Sequence, residues 1–502
     1  MKKNTLLCFI LCLSLLLGVM PASVSATNTT ESSTAETTTT NIPETTGASV
    51  QLPIQTGPDA SVSDGCNSIN AQVPLNGSAK MLDTAKAVIL YELNSNTMLY
   101  AYHPDERVYP ASLVKLMTAL ILVESGELDK KVTASQGGLS TIPADAVSAE
   151  ILAGETFTLR DMLYCMMVTS ANDACVVAAE GLMGNTSSFV RLMNQRAAEL
   201  GCTGTNFVNV HGIHDEQQYT TARDIGKILL KALEYEEFRK AFGTTVYVLP
   251  ATELETARTF LTNNYFMTRD NGGVVKFYDT KVTGGKSAAT DTSDRSLVCT
   301  AKSGDLNLMT IVMGAVGILE PDGYSLAHMG NFEETQELLE FGMNHFTVAQ
   351  VIADGKAVTQ FQVANGESQI VAKPVQGSFS ALPAGVTAEQ LTWRYSGAGQ
   401  TLTAPLEAGA PLGNMQVWYG GTCLAQSDLV SMNPVRVADA SLAPVVDDET
   451  ENNVAGTVLK TLGIVVLGVI VLVLLWFGLR ILRSAMIRMR RRRRRINRQR
   501  SR

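Results

Sequence analysis

The spacing of apolar positions changes several times along this chain, and each change marks a segment. "MKK" is followed by the apolar run "TLLCFILCLSLLLG" and by "VSA", small residues ending at Ala26. A positive start, an apolar run shorter than the roughly 20 residues of a membrane span, and a small-residue end predict a secretory signal over residues 1–26. An uncleaved anchor is the alternative. Residues 27–81, opening "TNTTESSTAETTTTNIPETTG", hold few large apolar side chains at first. Such a segment cannot bury enough surface to offset chain entropy, which predicts a disordered Thr/Ser-rich spacer. Residues 461–479, "TLGIVVLGVIVLVLLWFGL", are 19 positions without a charge and predict a transmembrane helix.

Between these ends the periods are those of a folded protein. "AVILYEL", "NSN" and "TMLYAY" predict a β-hairpin over residues 87–102. "SLVKLMTALILVE" predicts a helix stopped at Ser125-Gly126. Helices follow in "LRDMLYCMMV", "DACVVAAEGLM", "NTSSFVRLMNQRAAELG" and the long amphipathic "TARDIGKILLKALEYEEFRKAF". Strands return in "TTVYVL", "VKFYDTKVTG", "RSLVCTAK" and "LNLMTIVMGAV", and "NFEETQELLEFGMNHF" closes the unit as a helix. Helices in the middle with strands at both ends predict an α+β domain over residues 82–346, its antiparallel sheet built from both termini. From Thr347 the texture becomes short alternating runs with Pro and Gly between them. "MQVWYGGTCLAQ" reads as a hairpin with a two-residue loop, and residues 347–437 predict a small all-β domain. With no cluster of His, Cys and acids, a spacer or docking role suits it. Residues 438–460 read as an acidic linker.

Charge sharpens the topology. Twelve arginines crowd residues 480–502, directly after the uncharged run. The positive-inside bias makes that tail cytoplasmic and everything between signal and span extracytoplasmic, on a single-pass protein of the cell membrane. The other 28 basic residues face 48 acidic ones, so the exported part is acidic and argues against a nucleic-acid partner. Cys66, Cys165, Cys175, Cys202, Cys299 and Cys423 remain after the signal, with no metal-ligand spacing. Cys165 and Cys175 fall in apolar helical runs, as buried free thiols do; disulfides are permitted outside the cell, but their pairing is open.

Candidate chemistry begins in "YPASLVKLMTAL", residues 109–120, where Ser112 and Lys115 lie one helical turn apart inside an apolar run. Burial favours the neutral amine, so Lys115 is placed to take the Ser112 proton. A snorkelling lysine and a helix-capping serine are the structural alternative. A second polar break, "TSANDACVV", carries Ser170 and Asn172, with helix capping by Asn172 or Asp173 as its alternative. A third, "TKVTGGKSAA" at residues 280–289, sits on a predicted strand where Gly284 and Gly285 would let a ligand backbone lie close. It is not a phosphate loop, because Thr280 stands where the first glycine is required. His211, in "NVHGIHDEQQYTTARD", reads as loop packing.

S-x-x-K, then S-x-N, then a Thr-Gly strand is the pattern of penicillin-binding proteins and serine β-lactamases. With "YPASLVKLMTALILVE", "MMVTSANDACVVAAE" and "VHGIHDEQQYTTARDI", the chain resembles the low-molecular-weight D-alanyl-D-alanine carboxypeptidases across residues 87–346. The resemblance implies a transpeptidase-like α+β fold and hydrolysis of the terminal D-Ala from peptidoglycan stem peptides, with β-lactam antibiotics as acylating ligands and neither cofactor nor metal. It implies Ser112 as nucleophile, Lys115 as base, Ser170 as proton relay and Asn172 as binder of the substrate amide. Thr283 would contact the terminal carboxylate, and the N–H groups of Ser112 and of Gly285 or a neighbour would form the oxyanion hole.

The departure is at the third motif, where the family has Lys-Thr-Gly. This chain has Lys281-Val282-Thr283-Gly284, with valine in the lysine's place. Lys281 returned by a local bulge is expected to supply the charge, in preference to Lys286. Val282 also leaves open a membrane-tethered homologue that binds peptidoglycan or partners without turnover. A β-lactamase is the remaining alternative, against which the anchored two-domain layout counts.

Overall fold

Strand β1 (Ala87–Glu92) is buried at every position. Ala87, Ile89 and Tyr91 enter one apolar cluster, and Val88 and Leu90 enter another. The strand alternates, but between two cores rather than between core and water. The computed structural model describes residues 82–439 apart from residues 83, 270–275, 291–293, 320–325 and 397–401, together with residues 476 and 480. The signal, the whole spacer, most of the linker, and nearly all of the expected span and tail lie outside the described residues. Among the described residues, no helix is long and apolar enough to cross a membrane.

β2 (Thr97–Tyr102) completes the first hairpin. After a 3₁₀ turn at Ala111–Leu113 come helices α1 (Val114–Glu124), α2 (Leu159–Val168), α3 (Asn172–Met183), α4 (Thr186–Glu199), α5 (Ala222–Leu233) and α6 (Glu236–Phe242). The last two replace the one long helix the sequence predicts, with a break at Glu234-Tyr235. The hairpin β3 (Val246–Leu249) and β4 (Arg258–Leu261) precedes β5 (Val282–Thr290), β6 (Asp294–Ser303) and β7 (Leu306–Ala315), and α7 (Gly330–His345) follows. The main sheet runs β2-β1-β7-β6-β5, all antiparallel, so strands from both ends of the domain interleave and β5 stands at an edge. Helices α1 to α6 contribute to the core on one face, and α7 covers the other. Nearly all of α1 is buried, as an all-round apolar helix must be, and it packs on α2, α3 and α5.

The second domain begins where α7 ends, with no residue between His345 and β8 (Phe346–Ile352). Strands β9 (Thr359–Phe361), β10 (Ile370–Pro374), β11 (Ser378–Pro383), β12 (Thr392–Ser396), β13 (Pro411–Tyr419) and β14 (Thr422–Ser431) complete it. One sheet has the order β9-β10-β14-β13-β12, and β8 pairs with β11. Gly420 and Gly421, both at positive φ, form the two-residue turn between β13 and β14. Cys423 is disulfide-bonded, whereas Cys165, Cys175, Cys202 and Cys299 are buried free thiols.

The two domains share a core. Phe346 and Ala381 belong to the apolar cluster behind the main sheet. A polar chain runs beside it: Ser95 N and Oγ donate to Glu92 Oε2 at 2.7 and 2.6 Å, Ala381 N donates to Ser95 Oγ at 3.2 Å, and Thr97 Oγ1 meets Ser380 Oγ at 3.2 Å.

Candidate active site

Ser112 lies in the 3₁₀ turn that opens into α1, and Lys115 in the first turn of α1. The Lys115 side chain is fully buried. Its Nζ donates to Asn172 Oδ1 at 2.8 Å, to the His211 carbonyl at 2.5 Å and to Ser112 Oγ at 3.1 Å. The first two partners are obligate acceptors, so each holds an N–H. The third tetrahedral position of the nitrogen therefore faces Ser112, carrying a proton when the amine is charged and a lone pair when it is neutral. Burial lowers the Lys115 pKa to about 8, which brings the lone-pair form within reach near neutral pH.

Three further segments shape this pair. Ala111 adopts φ +47°, an uncommon conformation for alanine, one residue before Ser112. Gly212, at φ +95°, lies directly against the Ala111–Ser112 peptide. Its neighbour His211 has a half-buried ring whose Nδ1 accepts from Ile213 N at 3.1 Å, and desolvation together with the Lys115 charge lowers its pKa to about 3. A ring of that pKa is a poor base at neutral pH. His211 serves the site instead through its carbonyl, which sequence reasoning did not assign.

Ser170 follows α2 at φ +68°, and its buried Oγ has no hydrogen-bond partner among the described residues. A buried hydroxyl without a partner is costly and marks a place a ligand or reacting group can satisfy. Asn172 opens α3; its Nδ2 donates to the Val147 carbonyl at 2.9 Å.

The third motif requires a correction. β5 starts at Val282, so Lys281 precedes the strand. The expected bulge is present between Val282 and Gly284, yet it does not carry Lys281 to the cleft. Lys281 is exposed and, with Phe266, Asp279, Gln336 and Glu340, lines a hollow of about 100 Å³ against α7, on the opposite face of the sheet from α1. Thr283 Oγ1 pairs with Thr300 Oγ1 at 2.8 Å. Gly284 packs against the Phe242 ring and Gly285 against Asn264, so these glycines accommodate protein neighbours.

The lysine that reaches the site is Lys286. It is fully buried, and β5 packs on the Ser112 turn. Burial and then the Lys115 charge lower its pKa to about 7. Two residues on, Ala288 lies on the same face and enters the core that contains Ala111 and Leu113. Ser287 points the other way and donates to Asn263 Oδ1 at 2.9 Å. Lys286-Ser287-Ala288 thus occupies the place where Lys-Thr-Gly was sought. The letters "TG" drew attention to the wrong end of the strand; the usable signal was the lysine among small residues just ahead of the next strand.

A serine held by a buried lysine, with a second buried lysine and a second serine on neighbouring segments, is the set of residue types that serine acyl transfer requires. Residues 76–317 match the family model "D-alanyl-D-alanine carboxypeptidase", and residues 346–436 match "Penicillin-binding protein 5, C-terminal domain". The D-alanyl-D-alanine carboxypeptidase DacA of Haemophilus influenzae is 28% identical over 362 residues, covering 70% of this chain and 85% of the relative. DacF of Bacillus subtilis is 25% identical over 362 residues, covering 72% and 88%. The crystal structure of penicillin binding protein 5 from Haemophilus influenzae superposes with a TM-score of 0.58 at 25% identity, covering 72% of this chain and all of that one. The chain belongs to the low-molecular-weight penicillin-binding proteins, the D-alanyl-D-alanine carboxypeptidases.

Proposed function

We propose that the protein is a serine-type D-Ala-D-Ala carboxypeptidase acting on peptidoglycan stem peptides. Ser112 Oγ attacks the carbonyl of the penultimate D-Ala while neutral Lys115 takes its proton. The C–N bond to the terminal D-Ala breaks, and the proton reaches the leaving amine through Ser170. Water then hydrolyses the Ser112 ester and releases the shortened peptide. Penicillin acylates the same serine. Asn172 uses its second N–H on the substrate amide. Lys286 attracts the terminal carboxylate, whose negative charge in turn favours the charged form of this lysine. The Ser112 N–H and an N–H from the edge of β5 beside Ala288 stabilise the oxyanion. With Lys286 in the cleft, Val282 is no longer a reason to favour a homologue without turnover.

The observation that carries this reading is Lys115 Nζ, buried and held by two fixed acceptors with its third position on Ser112 Oγ. The test is acylation of the full-length protein by a fluorescent penicillin, followed by D-Ala release from a D-Ala-D-Ala peptide. Labelling without release would identify a penicillin-binding protein lacking carboxypeptidase turnover; neither would sink the assignment.

The proposal includes the location. Residues 461–479 anchor the protein in the cell membrane, with residues 480–502 cytoplasmic and the catalytic domain outside. The support is the 19-residue uncharged run followed by 12 arginines. Truncation before residue 461 should release the protein into the medium; retention in the membrane would count against the anchor.

A further inference from the structure

We propose that residues 147–151 form a strap that orients Asn172, and that Asp173 is the positioning residue holding the strap. The inference rests on the reading of Asn172 as the binder of the substrate amide. The Val147 carbonyl accepts twice from Asn172, from the backbone N and from Nδ2, each at 2.9 Å. Asn172 Oδ1 meanwhile accepts from Lys115. A flipped carboxamide would set oxygen against the Val147 oxygen and NH₂ against the Lys115 amine. The Val147 carbonyl therefore fixes the amide face, keeps Oδ1 on the base and leaves one N–H of Nδ2 free.

The strap is not placed by burial of its own side chains. Val147 is 53% exposed, an apolar residue whose carbonyl is turned inward while its side chain meets water. What holds the segment is the buried carboxylate of Asp173. Its Oδ1 accepts from Ala149 N at 2.9 Å, and its Oδ2 accepts from Ile151 N at 3.0 Å and Ser148 Oγ at 2.6 Å. Asp173 also accepts from Ala174 N in its own helix, the capping role expected of an acid in the first turn. Three partners 22 to 25 residues away exceed what capping requires. Glu150 sits at φ +55° in the middle of the strap, its N–H donating to Ser148 Oγ and its carbonyl accepting from Arg258. A non-glycine in that conformation persists where its surroundings over-determine it.

The test compares acylation of full-length protein by a fluorescent penicillin in Asp173→Asn, Ser148→Ala, Asn172→Ala and the paired variants, with rates taken on folded protein. Asp173→Asn keeps the shape but replaces an acceptor by a donor, and acylation should fall about 10- to 100-fold, as for a sub-ångström misplacement of a binding group. Ser148→Ala removes one strut and should cost a few-fold, and it decides the matter if Asp173→Asn does not fold. In an Asn172→Ala background neither change should slow acylation further, because there is no carboxamide left to orient. A purely structural Asp173 would lower the melting temperature without this dependence on Asn172. Parental rates in folded Asp173→Asn or in Ser148→Ala, or losses that multiply with that of Asn172→Ala, overturn the strap. A parental rate in Asn172→Ala overturns the reading beneath it, and the strap with it.

Discussion

Gly212 and Ala111 are in backbone contact, and a β-carbon at position 212 would fall inside the Ala111 carbonyl group and within 3.0 Å of Ser112 N. The positive φ of Ala111 and the glycine beneath it together set the peptide that carries the nucleophile. Gly212→Ala should therefore move Ser112 and the N–H proposed for the oxyanion. A shift of about 1 Å costs roughly 100-fold in rate. Acylation should collapse well beyond any loss of folded protein, measured side by side by penicillin labelling and thermal melting. Near-parental labelling would mean that the loop yields instead of the nucleophile.

Lys286 and Lys281 are separated by the sheet, and the prediction follows from that. Lys286→Ala removes a charge from the cleft. Hydrogen bonds to charged groups contribute about 1.5–3 kcal/mol, so turnover of a D-Ala-D-Ala peptide should fall about 10- to 100-fold in kcat/KM. Lys281→Ala, exposed on the far face, should stay within about twofold of the parent. The reverse result would return the third motif to Lys281.

Penicillin should leave a covalent mass increment on the peptide containing Ser112. Ser112→Ala should abolish it, and Lys115→Ala should slow it by about 10²–10⁴-fold, the usual contribution of a positioned base. Increments elsewhere in Ser112→Ala would end the assignment.

The two lysines also set a pH dependence. Lys115 is an effective base when neutral, so acylation should rise as pH passes through about 8 and fall below it. Stability has a matching sign. Lys286 has a folded pKa of about 7 against an ordinary 10.5, so the unfolded chain binds more protons between those values. The cost of burying its charge is fully present below pH 7 and disappears as pH approaches 10.5. Lys286→Met should therefore melt higher than the parent at pH 7, with the gap closing by pH 10.5. A gap that widens with pH would contradict the burial argument.

Much of this was legible from residue patterns. Ser112 and Lys115 fall where an apolar helix opens, and Ser170 and Asn172 fall in the break between two others; periodicity located these polar interruptions, while their grouping as one site came from the resemblance. The α+β order was readable because β1 and β7 are dominated by apolar residues, with few polar interruptions. The third motif was not legible. On an edge strand of small residues, neither hydrophobic period nor propensity fixes where the strand begins, and a one-residue error inverts every side chain. "VKFYDTKVTG" was read as strand, whereas the strand runs from Val282 to Thr290. Backbone partners were equally hidden: the carbonyls of Val147 and His211 act through positions in space that no side-chain motif records.

α7 passes into β8 without an intervening residue, and the junction is sealed by a shared core and by the chain from Glu92 to Ser380. A joint of that kind transmits torque instead of absorbing it. The β domain is accordingly a handle: turning it turns the Ser112 site with it. On the proposed anchoring through residues 461–479, shortening the sequence between residue 439 and that run should change which peptidoglycan strands are trimmed, while leaving the rate on a small free peptide unchanged.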